Sequence, residues 1–298
     1  MPVLILPFVA HIAAADEPAL GAKSLAMGRT GAAGLHDNVA LRLNPGVLPL
    51  TDRYDFEGSF RFGPDGGLHW MGSAVDSRTS DVVSAGIGYY GNFFEPPPTS
   101  DEMPGWVADG QEISNQKWVH DLVASLATPL LDRRIGIGIT FAPAYHDEEL
   151  NGTGWTFDMH GGIGAHPVEW LTVGVATRNV LPWGPRYGDT EIGGGFLIDA
   201  DHLDLQTDLR FRPKIDDLPE IGAGAEYTVA QTKIRGGWRL DETQTSWVSG
   251  GIGFGEEGGS IAYGLAVPIG DSFGRAFERS MHEVSVRFGA QQPIPEVY

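Results

Sequence analysis

The sequence has no cysteine among its 298 residues and few basic residues, since 20 Lys and Arg stand against 39 Asp and Glu. The missing thiols exclude disulfides and thiolate metal sites. The net charge of -19 argues against a nucleic-acid partner, because nucleic acids are bound by basic surfaces. No run of about eighteen apolar residues follows the N-terminus, so no transmembrane helix is expected. A spanning β-strand needs only about ten residues in which apolar and polar side chains alternate, so this absence does not exclude a membrane β-barrel.

The first fifteen residues, MPVLILPFVAHIAAA, are apolar and end in small residues before Asp16 and Glu17. This is the shape of a secretory apolar region with an Ala-x-Ala cleavage site, so residues 1–15 are predicted to be a signal peptide. A positively charged region in front of it is missing. A buried strand or helix at the start of a soluble domain is the alternative interpretation.

Apolar and polar residues alternate in units of about ten between residues 54 and 289, which predicts a series of β-strands. In the unit 203–212, leucines and a phenylalanine fall on one face, and aspartates and arginines on the other. The predicted strands are 54–62, 67–76, 81–90, 117–127, 133–144, 154–165, 169–179, 190–199, 202–212, 219–229, 231–241, 245–255, 258–269 and 281–289.

Connection lengths separate the two architectures that many short strands can form, a sandwich and a barrel. Long connections follow strands three, five, seven, nine and thirteen, whereas most connections after even-numbered strands are short. Outer-membrane barrels place long loops outside and short turns on the periplasmic side. We therefore predict an all-β transmembrane up-and-down antiparallel barrel of about fourteen strands, in contact with the lipid of a Gram-negative outer membrane. A soluble β-sandwich binding module is the alternative.

The segment between the predicted signal peptide and the first strand, GAKSLAMGRTGAAGLHDNVALRLNPGVLPL, spans residues 21–50. It resembles the N-terminal hatch of FadL-type fatty-acid transporters and of the related PorV-type outer-membrane proteins. The residues that carry the resemblance are Gly21, Ala22, Met27, Gly28, Asp37, Asn44, Pro45 and Leu48. The sequence departs from the family pattern at Arg29, where a second Gly is common, and at Gly46, which replaces the usual Ala.

The resemblance implies a hatch or plug over 16–50, a barrel over 51–290 and a C-terminal tail over 291–298. It also implies one of two functions. FadL-like proteins pass hydrophobic small molecules such as fatty acids, often through a side opening, whereas PorV-like proteins act as partners of secretion, motility or surface-attachment machinery. The chain is short for a FadL-type transporter. We therefore expect a partner or anchor subunit of a cell-envelope complex, with a hydrophobic small-molecule transporter as the alternative.

The inner face that alternation predicts is charged. The candidate lumen charge network comprises Asp158, His160, Arg178, Asp204, Asp208, Arg210, Glu226, Arg235 and Arg239. These groups either pair with one another and bind the hatch, or form a polar permeation path. Glycine, with 42 residues, is also abundant, and many glycines fall on the inner face. They allow a plug to approach closely or allow strong strand curvature. Those predicted to face inward include Gly136, Gly138, Gly162, Gly164, Gly193, Gly195, Gly222 and Gly224.

Motifs for catalysis or cofactor binding are not found. The sequence has no Gly-x-Ser-x-Gly elbow, no His-Glu-x-x-His pair and no phosphate-binding loop. The run 146–149, His-Asp-Glu-Glu, falls in a predicted outer loop, and consecutive residues converge poorly on one metal ion. We therefore predict a protein that is not an enzyme, without catalytic residues, metal or cofactor.

Overall fold

The computed structural model describes residues 20–35, 38–63, 67–94, 116–148, 152–181, 183, 190–213, 218–241, 243–256, 258–270 and 279–292. In these ranges fourteen antiparallel strands close into one barrel, each pairing with its chain neighbours, and the first pairs with the last. They are β1 (Asp52–Phe62), β2 (Leu68–Asp76), β3 (Ser84–Phe94), β4 (Lys117–Leu130), β5 (Ile135–Glu148), β6 (Gly152–Val168), β7 (Leu171–Arg178), β8 (Glu191–Ala200), β9 (Leu203–Phe211), β10 (Glu220–Val229), β11 (Thr232–Leu240), β12 (Ser246–Glu256), β13 (Gly259–Pro268) and β14 (Met281–Gln292).

Strand β1 illustrates how the sequence pattern produces the barrel wall. Arg53 and Arg61 point inward and are 0% and 1% exposed, whereas Phe56 and Phe60 point outward and are 46% and 55% exposed. Charge inside and apolar rings outside is the inverse of a soluble protein and suits a wall that faces lipid. Because every strand is paired on both sides, the sheet has no edge, and the β-sandwich alternative is excluded.

The predicted antiparallel barrel of fourteen strands is confirmed, and each predicted strand overlaps an observed one. The largest shifts are at β3, which begins and ends later than predicted, and at β5, which ends at Glu148 instead of residue 144. Strand β14 continues past its predicted end at residue 289, and Gln292 still pairs with Asp52 of β1. The chain then reaches Pro293, which has no N–H to donate to the strand ladder.

Residues 20–51, called the N-terminal segment below, precede β1 and lie inside the barrel. The segment contains α1 (Ala22–Ala26), α2 (Ala40–Leu43) and a 3-10 helix (Pro45–Leu50). Apart from Lys23 and Arg42, each of its described residues is buried. Helices this short do not hold themselves together in water, so packing against the wall fixes them. Of the helices in the described ranges, none has the length and apolar character needed to cross a membrane.

The two ends of the barrel differ in their connections. Strand β1 begins at the end that carries turns such as 131–134 and 201–202, and this is called the short-turn end. Strand β1 finishes at the opposite end, where β3 and β7 also finish. This is called the long-loop end, because the longest predicted connection, after β3, lies there.

Candidate functional site in the barrel lumen

The N-terminal segment follows the inner wall around the barrel as a belt. Its start contacts β13 and β14, Met27 and Gly28 approach β10 and β11, and Ala32 approaches β7. The 3-10 helix then packs on β5 and β6. The belt therefore separates the lumen on the short-turn side from the lumen on the long-loop side.

Glycines of the wall make this close approach possible. A Cβ atom added at Gly174 would lie 2.0 Å from the carbonyl oxygen of Ala32, and one at Gly224 would lie 2.5 Å from that of Met27. One at Gly138 would lie 2.5 Å from the carbonyl carbon of Pro45. Two predicted inward glycines behave differently. Gly193 and Gly195 face side chains of the neighbouring strand β9 rather than the segment.

The first part of the segment, residues 20–32, is held by hydrogen bonds and is called the polar stretch. Its backbone N–H groups donate to side chains of the wall. Gly21 donates to Glu283 Oε1 and Ala22 to Ser285 Oγ, both at 2.7 Å, and Gly28 donates to Ser249 Oγ at 3.1 Å. Gly31 and Ala32 both donate to Asp208 Oδ2, at 2.8 and 2.9 Å. Strands β9, β12 and β14 therefore supply the acceptors that fix this stretch.

The second part, residues 40–50, is held mainly by apolar contact and is called the apolar stretch. Leu41, Leu48 and Leu50 are 0% exposed and belong to one buried cluster with Tyr90 and Val123 of the wall. Polar contacts accompany this packing, including the ion pair of Arg42 with Asp121 of β4. Ser125 and Thr140 donate to the carbonyl oxygen of Leu41, and Asn44 Nδ2 donates to the carbonyl oxygen of Ala32 at 2.6 Å.

The structure brings the hatch residues predicted from the sequence against the wall, as far as they are described. Gly21, Met27 and Gly28 belong to the polar stretch, and Asn44 and Pro45 to the apolar stretch. Asp37 lies outside the described residues. At the two departures from the family pattern, Arg29 and Gly46, the structure shows a glycine-like backbone and a close backbone contact, respectively. Arg29 has a φ of 60°, in the region that favours glycine, and a Cβ on Gly46 would lie 2.5 Å from the carbonyl oxygen of Gly162.

The predicted lumen charges form separate groups rather than one network. On the long-loop side, Glu220 pairs with Arg210 at 3.2 Å and with Arg239 at 2.8 Å. On the short-turn side, Glu226 pairs with Arg235 at 2.6 Å, and Asp204 lies opposite Glu226 in the β9–β10 register. The belt runs between these two groups.

The remaining members of the predicted set have other partners. Asp208 binds the two backbone N–H groups of the segment described above, and Arg178 pairs with Glu191 across β7 and β8. Asp158 and His160 lie on β6, on the side of the lumen that faces the apolar stretch. The predicted set is therefore distributed around the whole lumen.

Two contacts between the N-terminal segment and the wall involve arginines that were not in the predicted set. Arg42 of α2 forms an ion pair with Asp121 of β4 and lies 5.3 Å from the centre of the Tyr90 ring. Burial disfavours the charge of Arg42, but Asp121 outweighs this effect and raises the Arg42 pKa above its ordinary value. No sequence signal couples Arg42 to Asp121, because the contact depends on the path of the segment.

Arg133 binds the end of the segment at the short-turn end of the barrel. Leu131, Asp132 and Arg133 have φ values of 50°, 52° and 64°, a conformation that is strained for residues other than glycine. The turn places the Arg133 guanidinium where it donates to the carbonyl oxygens of Thr51 and Ser77 at 3.4 and 2.8 Å. This side chain ties the end of the segment to the turn between β2 and β3.

A cavity of about 1450 Å³ opens at the short-turn end, beneath the belt. Charged groups of both signs line it, including Glu57, Asp204, Glu226, Arg235 and Arg287. Such a lining favours water over an apolar molecule. Within the described ranges, no three His, Asp or Glu side chains come together in a way that could hold a metal ion.

Sequence comparisons give no match, since no protein-family model and no curated protein matches this chain. Solved structures match in fold. The toluene transporter TbuX from Ralstonia pickettii gives a TM-score of 0.62 at 15% identity, over 92% of this chain and 98% of that chain. The CymD monoaromatic hydrocarbon channel gives a TM-score of 0.67 at 12% identity, over 92% of this chain and 97% of that chain. A FadL homologue from Pseudomonas aeruginosa gives a TM-score of 0.63 at 10% identity, over 91% of this chain and 98% of that chain.

These matches cover nearly the whole of both chains, so the chain has the fold of the FadL-like barrels. The resemblance predicted from the sequence is thereby confirmed for the fold. The PorV-like half of that resemblance stays a prediction. The first two neighbours are named for toluene and monoaromatic hydrocarbons, and the expected partner or anchor role of this chain stays a prediction.

Proposed function

We propose that the chain is a non-enzymatic transporter that passes small hydrophobic molecules across the outer membrane. The observation that carries the proposal is a barrel of fourteen strands whose lumen is crossed by its own N-terminal segment, with the fold of channels named for toluene and other monoaromatic hydrocarbons. The apolar outer wall supports an outer-membrane location, because lipid replaces water around it. The belt acts as a plug that has to shift before a solute passes.

The interior supports a hydrophobic cargo on one side of the lumen only. Around the apolar stretch, the wall presents Met71, Tyr90, Val123 and Ala142, each at most 5% exposed. A small apolar molecule that enters there exchanges one set of apolar contacts for another, at little cost in free energy. On the opposite side it would have to displace the ion pairs of Glu220 and Glu226 and the backbone hydrogen bonds of the polar stretch. The apolar stretch has one ion pair among its described residues, that of Arg42 with Asp121. The route past the belt therefore runs along β2–β5.

Nothing in the structure or in the comparisons favours the partner or anchor role in particular. That role predicts stable co-purification with a second envelope protein from mild detergent, and the transporter role does not require it. A chain that is recovered as a complex with another envelope protein would revive the partner hypothesis.

Uptake by cells tests the proposal directly. A Gram-negative host without its own hydrocarbon channel is transformed with the full chain or with the empty vector, and the initial rate of radiolabelled toluene uptake is measured. We expect a several-fold faster rate with the chain. Uptake of a small sugar serves as the control for leakage and should not change. Equal toluene rates at equal, verified amounts of barrel in the outer membrane would refute the proposal.

A further inference from the structure

Two neighbouring inward residues of β6 carry polar atoms without a partner. His160 is 4% exposed, and its Nδ1 accepts a hydrogen bond from the backbone N–H of Asn179 at 3.3 Å. A neutral imidazole that accepts at Nδ1 carries its proton on Nε2, so Nε2 is a donor. Among the described residues, His160 Nε2 and Asp158 Oδ1 are buried and have no hydrogen-bond partner.

The two atoms are complementary in a way that selects one kind of ligand group. Asp158 and His160 are two positions apart on the same face of the strand, so their Cα atoms are separated by roughly 6.6 Å. His160 offers a donor and Asp158 an acceptor. A hydroxyl group both donates and accepts, so one hydroxyl placed between them satisfies both. A hydrocarbon leaves both atoms unsatisfied, and a carboxylate has no proton to donate to Asp158.

The surroundings suit an apolar body attached to that hydroxyl. Asp158 lies opposite Ala142 of β5 in the strand register, and Ala142 and Ala144 are small and buried. In the strand register Asp121 of β4 lies between Ala144 and Tyr90, and Asp121 is paired with Arg42. Ala142 and the Tyr90 ring belong to the apolar cluster that also contains Leu41 of the belt. The hydroxyl position therefore stands at the edge of the apolar side of the lumen, next to the segment that has to shift.

We propose that Asp158 and His160 bind the hydroxyl group of a small apolar alcohol, with phenols as the aromatic class, while its hydrocarbon part lies against Ala142 of β5 and Val123 of β4. The inference rests on the proposed transport function and names the substrate class that the lumen selects. The Asp158 carboxylate accepts a hydrogen bond from the hydroxyl group, and the His160 Nε2–H donates to the hydroxyl oxygen. The chain thus prefers hydroxylated molecules to the plain hydrocarbons named for its structural neighbours.

A pair of ligands with nearly the same shape tests this preference. p-Cresol and p-xylene differ only by a hydroxyl in place of a methyl group, and both are titrated calorimetrically into the purified full chain in detergent. We expect p-cresol to bind at least tenfold more tightly than p-xylene, because a site with buried donors and acceptors discriminates strongly against a ligand that lacks them. Micelles without protein supply the baseline for partition into detergent.

Two variants assign the preference to this site. Asp158→Leu removes the acceptor and His160→Phe removes the donor, and each should lower p-cresol affinity at least tenfold while p-xylene affinity stays within twofold. Asp147→Leu, at an exposed carboxylate on the adjacent strand β5, is the matched control and should change neither. If one of the two variants does not fold, the other still tests the site alone.

The outcomes separate this inference from the transport function. Equal affinities of the unmodified chain for p-cresol and p-xylene, or a p-cresol preference that survives both variants, would overturn the inference and mean that Asp158 and His160 bind water only. Toluene uptake by cells would remain unaffected by that result. If cellular uptake of toluene and p-cresol both equal the empty-vector rate, the transport function itself is wrong.

Discussion

The polar and apolar stretches of the N-terminal segment are held on opposite sides of the lumen by different forces. Five backbone N–H groups of the polar stretch donate to side chains of β9, β12 and β14. The apolar stretch buries leucine side chains against β3 and β4 and adds one ion pair, Arg42 with Asp121. Hydrogen bonds are directional and fail when a partner moves, whereas apolar contact is non-directional and can be exchanged.

This difference indicates which part of the belt moves when a solute passes. A hydrophobic solute offers carbon surface, which replaces the contacts of Leu41 or Leu48 but not those of a backbone N–H. We therefore expect the polar stretch to act as a fixed anchor and the apolar stretch to yield. The comparison fails if the two stretches respond to mutation as one rigid unit.

The largest effect is expected from Asp208→Leu. This side chain accepts two hydrogen bonds through one oxygen, from Gly31 and Ala32, and leucine would leave both buried N–H groups unsatisfied. At about 1–3 kcal/mol for each group, the polar stretch loses about 2–6 kcal/mol of docking free energy. Hydrogen exchange of the Gly31 and Ala32 amides should therefore accelerate by orders of magnitude.

Asp208→Asn supplies the control for that experiment. It keeps an oxygen acceptor in the same place, so exchange at Gly31 and Ala32 should rise much less. Unchanged protection of both amides in Asp208→Leu would show that the polar stretch is not anchored by this carboxylate.

A somewhat smaller effect is expected from Leu48→Ala in the apolar stretch. Leu48 is 0% exposed, and truncation of a buried leucine costs about 2–4 kcal/mol. Exchange should accelerate over residues 40–50 and stay slow at Gly31 and Ala32. Leu126→Ala, at an outward position that is 51% exposed, should leave both stretches protected. Equal acceleration in both stretches would mean that the belt opens as one unit.

The sequence pattern was sufficient for the strands but not for the site. In-and-out alternation is local, because each residue of a barrel strand faces either lipid or lumen regardless of its partners. Which lumen charges meet is not local. Asp208 was expected in a lumen whose charges pair across strands and bind the hatch, but alternation did not tell which of the two it does. In the structure it accepts hydrogen bonds from backbone N–H groups of a segment that is distant in sequence. Its role follows only from the path of the belt.

The contacts of glycine and arginine residues also could not be predicted from the sequence pattern. Alternation placed Gly138 and Gly224 on the inner face, but only the structure distinguishes these two, which meet the segment, from Gly193, which faces a side chain of β9. Arg42 links the segment to β4, and Arg133 links the turn between β4 and β5 to the end of the segment. No periodicity in the sequence marks such residues, because their partners are set by tertiary packing.

The smallest effect is expected from alanine at Gly237, and a neighbouring glycine provides a matched control. A Cβ at Gly237 would lie 2.4 Å from the backbone nitrogen of Gly28, whereas a Cβ at Gly236 meets nothing within 4 Å. Gly237→Ala forces the polar stretch away from the wall and should lower the free energy of unfolding by about 1–3 kcal/mol. Gly236→Ala should leave it unchanged or raise it by about 0.4–1 kcal/mol, because alanine restricts the unfolded chain.

Urea unfolding measures both glycine variants, and hydrogen exchange locates the damage. The clash in Gly237→Ala falls on Gly28, whose N–H donates to Ser249 Oγ, so exchange should accelerate at Gly28 while the apolar stretch stays protected. If Gly236→Ala destabilises as much as Gly237→Ala, strand curvature rather than contact with the segment explains these glycines. If Gly237→Ala instead releases residues 40–50 first, the polar stretch is not the fixed anchor, and the division of the belt into two stretches is wrong.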